Sequence, residues 1–168
     1  MSNDQNPYST PADSSAVNSL AAVPKKSAWG RNIAAVVVGI VGGSVVNLGI
    51  IMIGPLLIAN PHMEGVDTND MEAFKAAMVN FEPQHFMVPF VAHAAGTLVG
   101  AYLAAAIAGS HKLGIAMTIG FWFLLGGVLV SFLLPAPGWF IGLDLIVAYL
   151  PMAWLAGSRF SAKQPTAA

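Results

Sequence analysis

Two ionisable side chains lie within long apolar stretches of the sequence, and they are the first candidates for chemistry. His93 falls in a run of 29 residues that contains no Lys, Arg, Asp or Glu, and Asp144 follows an uncharged run of 31 residues. His93 lies seven residues after Phe86, and Asp144 lies five residues after Trp139, where we expect two membrane spans to begin at the same face. At a rise of about 1.5 Å per helical residue, the two side chains lie roughly 10 Å and 8 Å below that face. The similar depths predict a buried hydrogen-bonded pair, because an ionisable group inside a membrane is costly unless it is paired.

Three further polar side chains are candidate neighbours of this pair. Thr97 follows His93 by four residues and therefore shares its helical face. Asn47 and Tyr149 are both placed near the middle of the membrane, where we expect a second polar contact between them. The alternative for all these residues is a structural hydrogen bond without a further role.

A histidine beside an aspartate can relay protons or act as a general base, and a histidine with a carboxylate and water can bind zinc. The motifs of metal hydrolases, phosphate-binding loops and serine hydrolases are absent from the sequence. His85 shares a helix with His93, while His62 and His111 fall in connections, so one chain does not supply paired haem ligands at one depth. Without cysteine, thiolate metal sites and disulfides are excluded. We predict no catalytic residue, metal or cofactor.

The elements that position these residues follow from composition. Of 168 residues, 56% are apolar and 9% are charged, against roughly 25% charged in soluble domains. Pro135 to Gly138 divides the last uncharged run, because two prolines in four residues interrupt a helix. The pattern predicts an all-α polytopic membrane protein with spans at about 33–59, 86–109, 113–134 and 139–157, within a domain at 29–160.

Charge asymmetry predicts the orientation of the bundle. The loop at about 60–85 has five acidic residues, one lysine and a net charge of −4. The other six basic residues fall at the opposite side of a four-span topology: Lys25, Lys26, Arg31, Lys112, Arg159 and Lys163. Because basic residues stay on the cytoplasmic side, both termini are predicted to be cytoplasmic in a multi-pass inner-membrane protein. A net charge of −1 offers no basic surface for nucleic acid.

The acidic loop contains one predicted helix, and the ends of the chain are predicted tails. Asn69 is the expected N-cap, with Glu72 in the capping-box position. Four apolar residues then recur at helical spacing: Met71, Phe74, Met78 and Phe81. We expect an amphipathic helix that packs at the outer interface, with a substrate lid as the alternative. Residues 1–28 are predicted to be a disordered cytoplasmic tail, and residues 161–168 a second cytoplasmic tail.

Small residues recur every four positions and predict close helix packing. Ala92, Gly96, Gly100 and Ala104 form such a stripe in the second span. Gly39 and Gly43 repeat the spacing in the first span, and Gly138 and Gly142 repeat it at the start of the fourth. Small side chains let helix backbones approach closely in lipid. Packing within the bundle is the favoured interpretation, and a homodimer interface is the alternative.

Two segments carry a resemblance to a known group of proteins. The first is Gln84-His85-Phe86-Met87-Val88-Pro89-Phe90-Val91-Ala92-His93-Ala94-Ala95-Gly96-Thr97, and the second is Asp144-Leu145-Ile146-Val147-Ala148-Tyr149-Leu150-Pro151-Met152-Ala153-Trp154. The chain from about Arg31 to Phe160 resembles small four-span bacterial integral membrane proteins of unknown function. The resemblance implies a bacterial inner-membrane protein and no particular activity.

The leading functional hypothesis is a non-enzymatic integral membrane protein with an accessory or assembly role. The alternative is an oligomeric small-solute or proton-coupled transporter that uses His93 and Asp144. The expected partners are the lipid bilayer and either a second copy of the chain or another membrane protein.

Overall fold

Four helical segments are long and apolar enough to cross a membrane, and the computed structural model that shows them describes residues 28–160. No β-strand occurs in this range. The α-helices are α1 (Trp29–Leu57), α2 (Met71–Met78), α3 (Met87–Ile107), α4 (Lys112–Leu133), α5 (Gly138–Val147) and α6 (Leu150–Ser158). One-turn 3₁₀ helices at Pro61–Met63 and Pro83–Phe86 flank α2. The all-α polytopic prediction is confirmed, and the chain is a multi-pass integral membrane protein.

The membrane-spanning segments differ little from the predicted ranges. They are Trp29–Leu57, Pro83–Ile107, Lys112–Leu133 and Gly138–Ser158, and no boundary moves by more than four residues. The last span consists of two helices, α5 and α6, where the sequence predicts one. The predicted tails, 1–28 and 161–168, lie outside the described residues except for Ala28.

The two ends of the bundle differ, and we name them by their connections. The loop end carries residues 58–86 and the turn 134–137. The termini end carries the start of α1, the turn 108–111 and the end of α6. There, Arg31 donates from Nε to the Ile107 carbonyl and from Nη2 to the Ala108 carbonyl, both at 3.0 Å. Asn32 Oδ1 accepts from the Gly109 amide at 2.9 Å, so the first turn of α1 caps the end of α3.

The predicted stripe of small residues is where α1 and α3 cross. A Cβ on Gly100 would lie 2.6 Å from the Gly39 carbonyl oxygen, and one on Gly43 would lie 2.6 Å from the Gly96 carbonyl oxygen. Ala92 and Ala104 are buried on the same face of α3. The stripe therefore packs within one chain, as in the favoured interpretation, and α1 occupies the face that a homodimer would need.

The third repeat of the spacing, in α5, has no such role. Around a Cβ built on Gly138 or Gly142, no atom of residues 28–160 lies within 4 Å. The termini half of the bundle is instead closed by a buried cluster that α3, α4 and α6 share. Its members are almost all alanines: Ala101, Ala104, Ala105, Ala116, Ile119, Ala153 and Ala156.

Helix α2 packs over the loop end of the bundle. Its N-cap is Asp70, whose Oδ1 accepts from the amides of Glu72 and Ala73 at 3.0 and 3.2 Å. The prediction of Asn69 as the cap was wrong, because the Asn69 backbone and side chain both bond to Asp67. The apolar face of α2 joins a cluster of rings and side chains at this end: Phe74, Met78, Phe81, Phe86, Phe90, Leu134, Ala136 and Phe140.

The fourth span breaks at Tyr149, between α5 and α6. Tyr149 has φ −114° and ψ −81°, outside the helical region. Pro151 follows two residues later, and a proline ring clashes with the carbonyl four residues back while offering no N–H donor. The backbone bonds on either side remain, from the Ala148 amide to Asp144 and from the Ala153 amide to Tyr149, both 2.9 Å.

Candidate ligand-binding site

A cavity of about 420 Å³ lies at the loop end, and we call it the loop-end cavity. All four spans and α2 contribute to its lining. Its walls are apolar, with Pro55 from α1, Pro89 from α3 and Val130 from α4 among them. Phe74 and Met78 of α2 line it on the loop side. The cavity exists because α2 bridges the ends of the spans, where the aromatic cluster holds it in place.

His93 and Asp144 line this cavity together and form its polar base. The Nδ1 atom of His93 lies 2.9 Å from Asp144 Oδ1 and 3.0 Å from Oδ2. The side chain of Asp144 is 6% exposed, and that of His93 is 22% exposed. The structure thus brings the two predicted residues together, at matching depths below the loop end.

Tyr149 completes the polar base as its third member. Its hydroxyl donates to Asp144 Oδ2 at 2.9 Å and lies 3.1 Å from His93 Nδ1. Its ring stacks on the imidazole, with 5.8 Å between ring centroids. In an unbroken helix, residues five apart point about 140° away from each other. The break at Tyr149 removes that restriction and lets both side chains meet at His93.

The predicted contact between Tyr149 and Asn47 is wrong. The tyrosine side chain bonds to Asp144, while Asn47 lies in the crossing of α1 and α3. A Cβ on Gly96 would come within 2.9 Å of the Asn47 Cβ, so Asn47 packs against the glycine stripe. Depth along a straight helix placed Tyr149 at the level of Asn47, but the helix breaks at Tyr149 and its side chain meets Asp144 instead.

Thr97 does not extend the hydrogen-bond network, contrary to expectation. It is 1% exposed, and its Oγ1 has no hydrogen-bond partner among the described residues. Thr97 lies one helical turn beyond His93, as predicted, but it makes none of the hydrogen bonds to Asp144 or Tyr149. Thr97 therefore contributes to the packing of α3.

Gly127 of α4 makes room for the tyrosine ring, which the sequence did not indicate. A Cβ on Gly127 would lie 2.7 Å from Tyr149 Cζ and closer still to the hydroxyl oxygen. The neighbouring Gly126 has open space at the same position, with no described atom within 4 Å. The pair of adjacent glycines provides a matched test of how the site is built.

We expect Gly127→Ala to destabilise the protein and Gly126→Ala not to. A methyl group at 127 displaces the buried phenol from Asp144, and overpacking of this kind costs about 1 to 3 kcal/mol. Alanine at 126 meets nothing and removes the unfavourable helix propensity of glycine, a gain of up to about 1 kcal/mol. Chemical unfolding of both variants in the same detergent measures the difference. Equal stabilities would contradict the placement of Tyr149 against α4.

The Nε2 atom of His93 is the ring nitrogen of the polar base that remains for a ligand. Nδ1 is engaged by Asp144 and Tyr149, whereas Nε2 has no partner in the described part of the chain. Nε2 is not completely buried either. Among residues 28–160, Thr97 Oγ1 is the one side-chain polar atom that is fully buried without a hydrogen-bond partner. His93 itself belongs to the cavity lining.

The described residues contain no group of three or more His, Asp or Glu side chains that could hold a metal ion. His85 also lines the cavity, but its Nδ1 accepts from the Glu82 amide at 3.1 Å and belongs to the 3₁₀ turn. The cavity therefore presents apolar walls, the two histidines and a few further polar side chains, namely Asn60, Thr68 and Ser131. A search of family models, curated proteins and solved structures finds no match to this chain.

Proposed function

We propose that this chain is a non-enzymatic integral membrane protein that binds a small apolar molecule in the loop-end cavity. The observation that carries the proposal is a cavity of about 420 Å³ with apolar walls and a polar base. Small-molecule sites are typically concave spaces of about 300 to 1,000 Å³ with a few placed polar groups. The loop-end cavity has that size and that composition.

The polar base supports binding and orientation of a ligand. Asp144 fixes the ring of His93 through Nδ1, and Tyr149 fixes Asp144. A group held this rigidly orients a bound molecule through a single hydrogen bond at Nε2. We place the protein as an accessory component of the bacterial inner membrane, consistent with the resemblance noted above, where it holds its ligand for a membrane-protein partner.

Proton-coupled transport is the second candidate, and the break at Tyr149 favours it. Transporters commonly place substrate and ion sites at discontinuous helices near the middle of the membrane. The alanine cluster of the termini half, at 0 to 2% exposure, closes the path beyond the polar base. Transport therefore requires a second conformation in which the termini half opens. Binding requires only the loop-end cavity already present in this conformation.

Equilibrium dialysis of the detergent-solubilised protein with naphthalene tests the binding proposal, with empty micelles as reference. Ser131 lines the cavity, and Ser131→Phe fills part of it. Ser44→Phe places the same side chain on an exposed position of α1. We expect naphthalene to bind at least about tenfold more weakly to Ser131→Phe, with Ser44→Phe unchanged. Equal binding by all three proteins, or no binding beyond the micelles, would reject the proposal.

A proton-flux assay in reconstituted vesicles separates the two candidates. The binding proposal predicts no proton flux above that of protein-free vesicles, for the unmodified protein and for Asp144→Asn alike. Flux that requires Asp144 would establish transport as the function instead.

The proposed orientation gives a further prediction. Reporter fusions after Lys26, Lys112 and Arg159 are expected to report the cytoplasm, because six of the seven basic residues lie on that side. A fusion near Asp70 is expected to report the opposite side. In this orientation the loop-end cavity lies in the outer half of the membrane. An external signal from either terminus would overturn both the orientation and that location of the cavity.

A further inference from the structure

The loop-end cavity is open on the side where α1 and α4 face each other. Lining residues in a closed part of its wall are buried, as Met78 and Phe140 are at 8% exposure each. Ile51 of α1 and Val130 of α4 also belong to the lining, yet they are 37% and 44% exposed. These side chains therefore reach the outer surface of the bundle as well as the cavity. We call the gap bordered by Ile51, Pro55 and Val130 the lateral opening.

The packing of α1 explains where the lateral opening lies. Nearer the termini end, α1 and α4 are in contact, since a Cβ on Gly43 would lie 2.8 Å from Phe123 Cε2. Toward the loop end, α1 stays packed on α3, where a Cβ on Gly54 would overlap the Val88 side chain. The following parts of α1 and α4 line the cavity instead. The opening is thus a gap between two helices that touch further along their length.

The lateral opening lies at the level of the membrane interior. Val130 precedes Leu133, the last residue of α4, by three positions, and Ile51 precedes Leu57, the last residue of α1, by six. At about 1.5 Å per residue, the opening begins roughly 5 to 9 Å inside the ends of two membrane-spanning helices. Acyl chains of the bilayer, rather than water, therefore lie in front of it.

The border of the opening suits hydrocarbon. Among the cavity-lining residues of α1 and α4, Ser131 is the one with a polar side chain, and its hydroxyl already donates to the Val128 carbonyl at 2.7 Å. Water needs two to four polar partners to stay in a cavity, which this border does not offer. A void beside lipid leaves the wall atoms without dispersion contacts. Because lipid is the surrounding solvent, even weak affinity for an acyl chain fills the space.

We infer that the ligand of the loop-end cavity is an acyl chain of a membrane phospholipid, which enters through the lateral opening between α1 and α4. The inference rests on the proposed function and adds the class of ligand and its route of entry. The loop at this end contains five acidic residues and one lysine. A headgroup without net charge meets less repulsion there than an anionic one, so the phospholipid is zwitterionic.

A photoreactive phospholipid tests the inference on the unmodified protein. Phosphatidylcholine with a diazirine in one acyl chain is mixed into phosphatidylcholine vesicles that contain the protein, and its adducts are located by peptide mass spectrometry after irradiation. Lipid around the bundle labels the exposed faces of the spans. Met78 and Phe140 are buried and line the cavity, so an acyl chain reaches them from within it. We expect adducts on both residues.

Tryptophan substitutions test the route of entry. Val130→Trp narrows the lateral opening, whereas Leu129→Trp places the same ring on the neighbouring residue, which is exposed and outside the lining. Thr68→Trp narrows the approach from the acidic loop, where Thr68 is an exposed member of the lining. Adducts on Met78 and Phe140 are expected to fall at least about tenfold in Val130→Trp, which corresponds to a steric penalty of about 1.4 kcal/mol. Leu129→Trp and Thr68→Trp are expected to leave them unchanged.

A second variant covers the case in which Val130→Trp does not fold. Ile51→Trp narrows the opening from the side of α1 and is expected to have the same effect. A fall caused by Thr68→Trp, but by neither variant of the lateral opening, would show entry from the loop side and overturn the inference.

The outcomes separate this inference from the proposed function. Adducts confined to exposed residues, together with naphthalene binding blocked by Ser131→Phe, overturn the inference and uphold the function. A dimer in native mass spectrometry, with the cavity unlabelled, would place a helix of a second copy at the opening and would also overturn the inference. Absence of both cavity adducts and naphthalene binding overturns the inference and the function together.

Discussion

Asp144→Ala is expected to lower the free energy of unfolding by about 2 to 6 kcal/mol, because two polar groups lose their acceptor and each unsatisfied group costs about 1 to 3 kcal/mol. The substitution leaves His93 Nδ1 and the Tyr149 hydroxyl without their acceptor in a buried site. His93→Ala is expected to cost a similar amount. The double variant should lose less than the sum of the two, because one broken interaction cannot be lost twice. Chemical unfolding in detergent, applied to all four proteins, measures this coupling.

Glu72→Ala is the control for this cycle. Its carboxylate lies 3.0 Å from Lys75 Nζ, but 85% of the side chain is exposed, and exposed ion pairs contribute little to stability. A strictly additive cycle for His93 and Asp144 would contradict their contact. An effect of Glu72→Ala as large as that of Asp144→Ala would show that unfolding does not report burial.

Gly100→Leu is expected to lower the free energy of unfolding by about 3 kcal/mol, at the upper end of typical overpacking costs. A Cβ alone at this position would lie 2.6 Å from the Gly39 carbonyl oxygen and 3.1 Å from the Gly43 Cα. Because backbone atoms are the obstacle, rotation of a side chain cannot relieve the clash, and α1 must move away from α3.

Gly142→Leu is the matched control, since its Cβ would meet no described atom within 4 Å. It is expected to change stability by no more than about 0.5 kcal/mol. The same unfolding assay applies to both variants. If Gly100→Leu were as stable as Gly142→Leu, the face of α3 that carries the glycines would not pack against α1.

The sequence predicts the fold and the central pair because both depend on regular features. Hydrophobic runs determine the number of spans, and the fixed rise of a helix places His93 and Asp144 at one depth. Tyr149 was assigned to the wrong neighbour, because counting residues along a straight helix does not account for a break in that helix. Pro151 was the available signal for that break, because a proline lacks the N–H donor and clashes with the carbonyl four residues back.

The cavity itself has no signature in the sequence. It forms where α2 packs across the ends of the spans, so its volume depends on how separate elements meet. Phe74 and Met78 were predicted as one apolar face of α2, but the same face would also suit a helix at the membrane surface. Gly127 was indistinguishable from Gly126 in the sequence, because the position of the tyrosine ring alone separates them.

Photo-crosslinking tests most directly whether the loop-end cavity holds an apolar molecule. A naphthalene probe bearing a diazirine group is activated on the detergent-solubilised protein, and its adducts are located by peptide mass spectrometry. Adducts are expected on cavity residues such as Met78, Phe140 and Leu145, and both excess naphthalene and Ser131→Phe are expected to reduce them. Adducts confined to surface residues such as Leu57 and Phe132, which are 80% and 85% exposed, would contradict it.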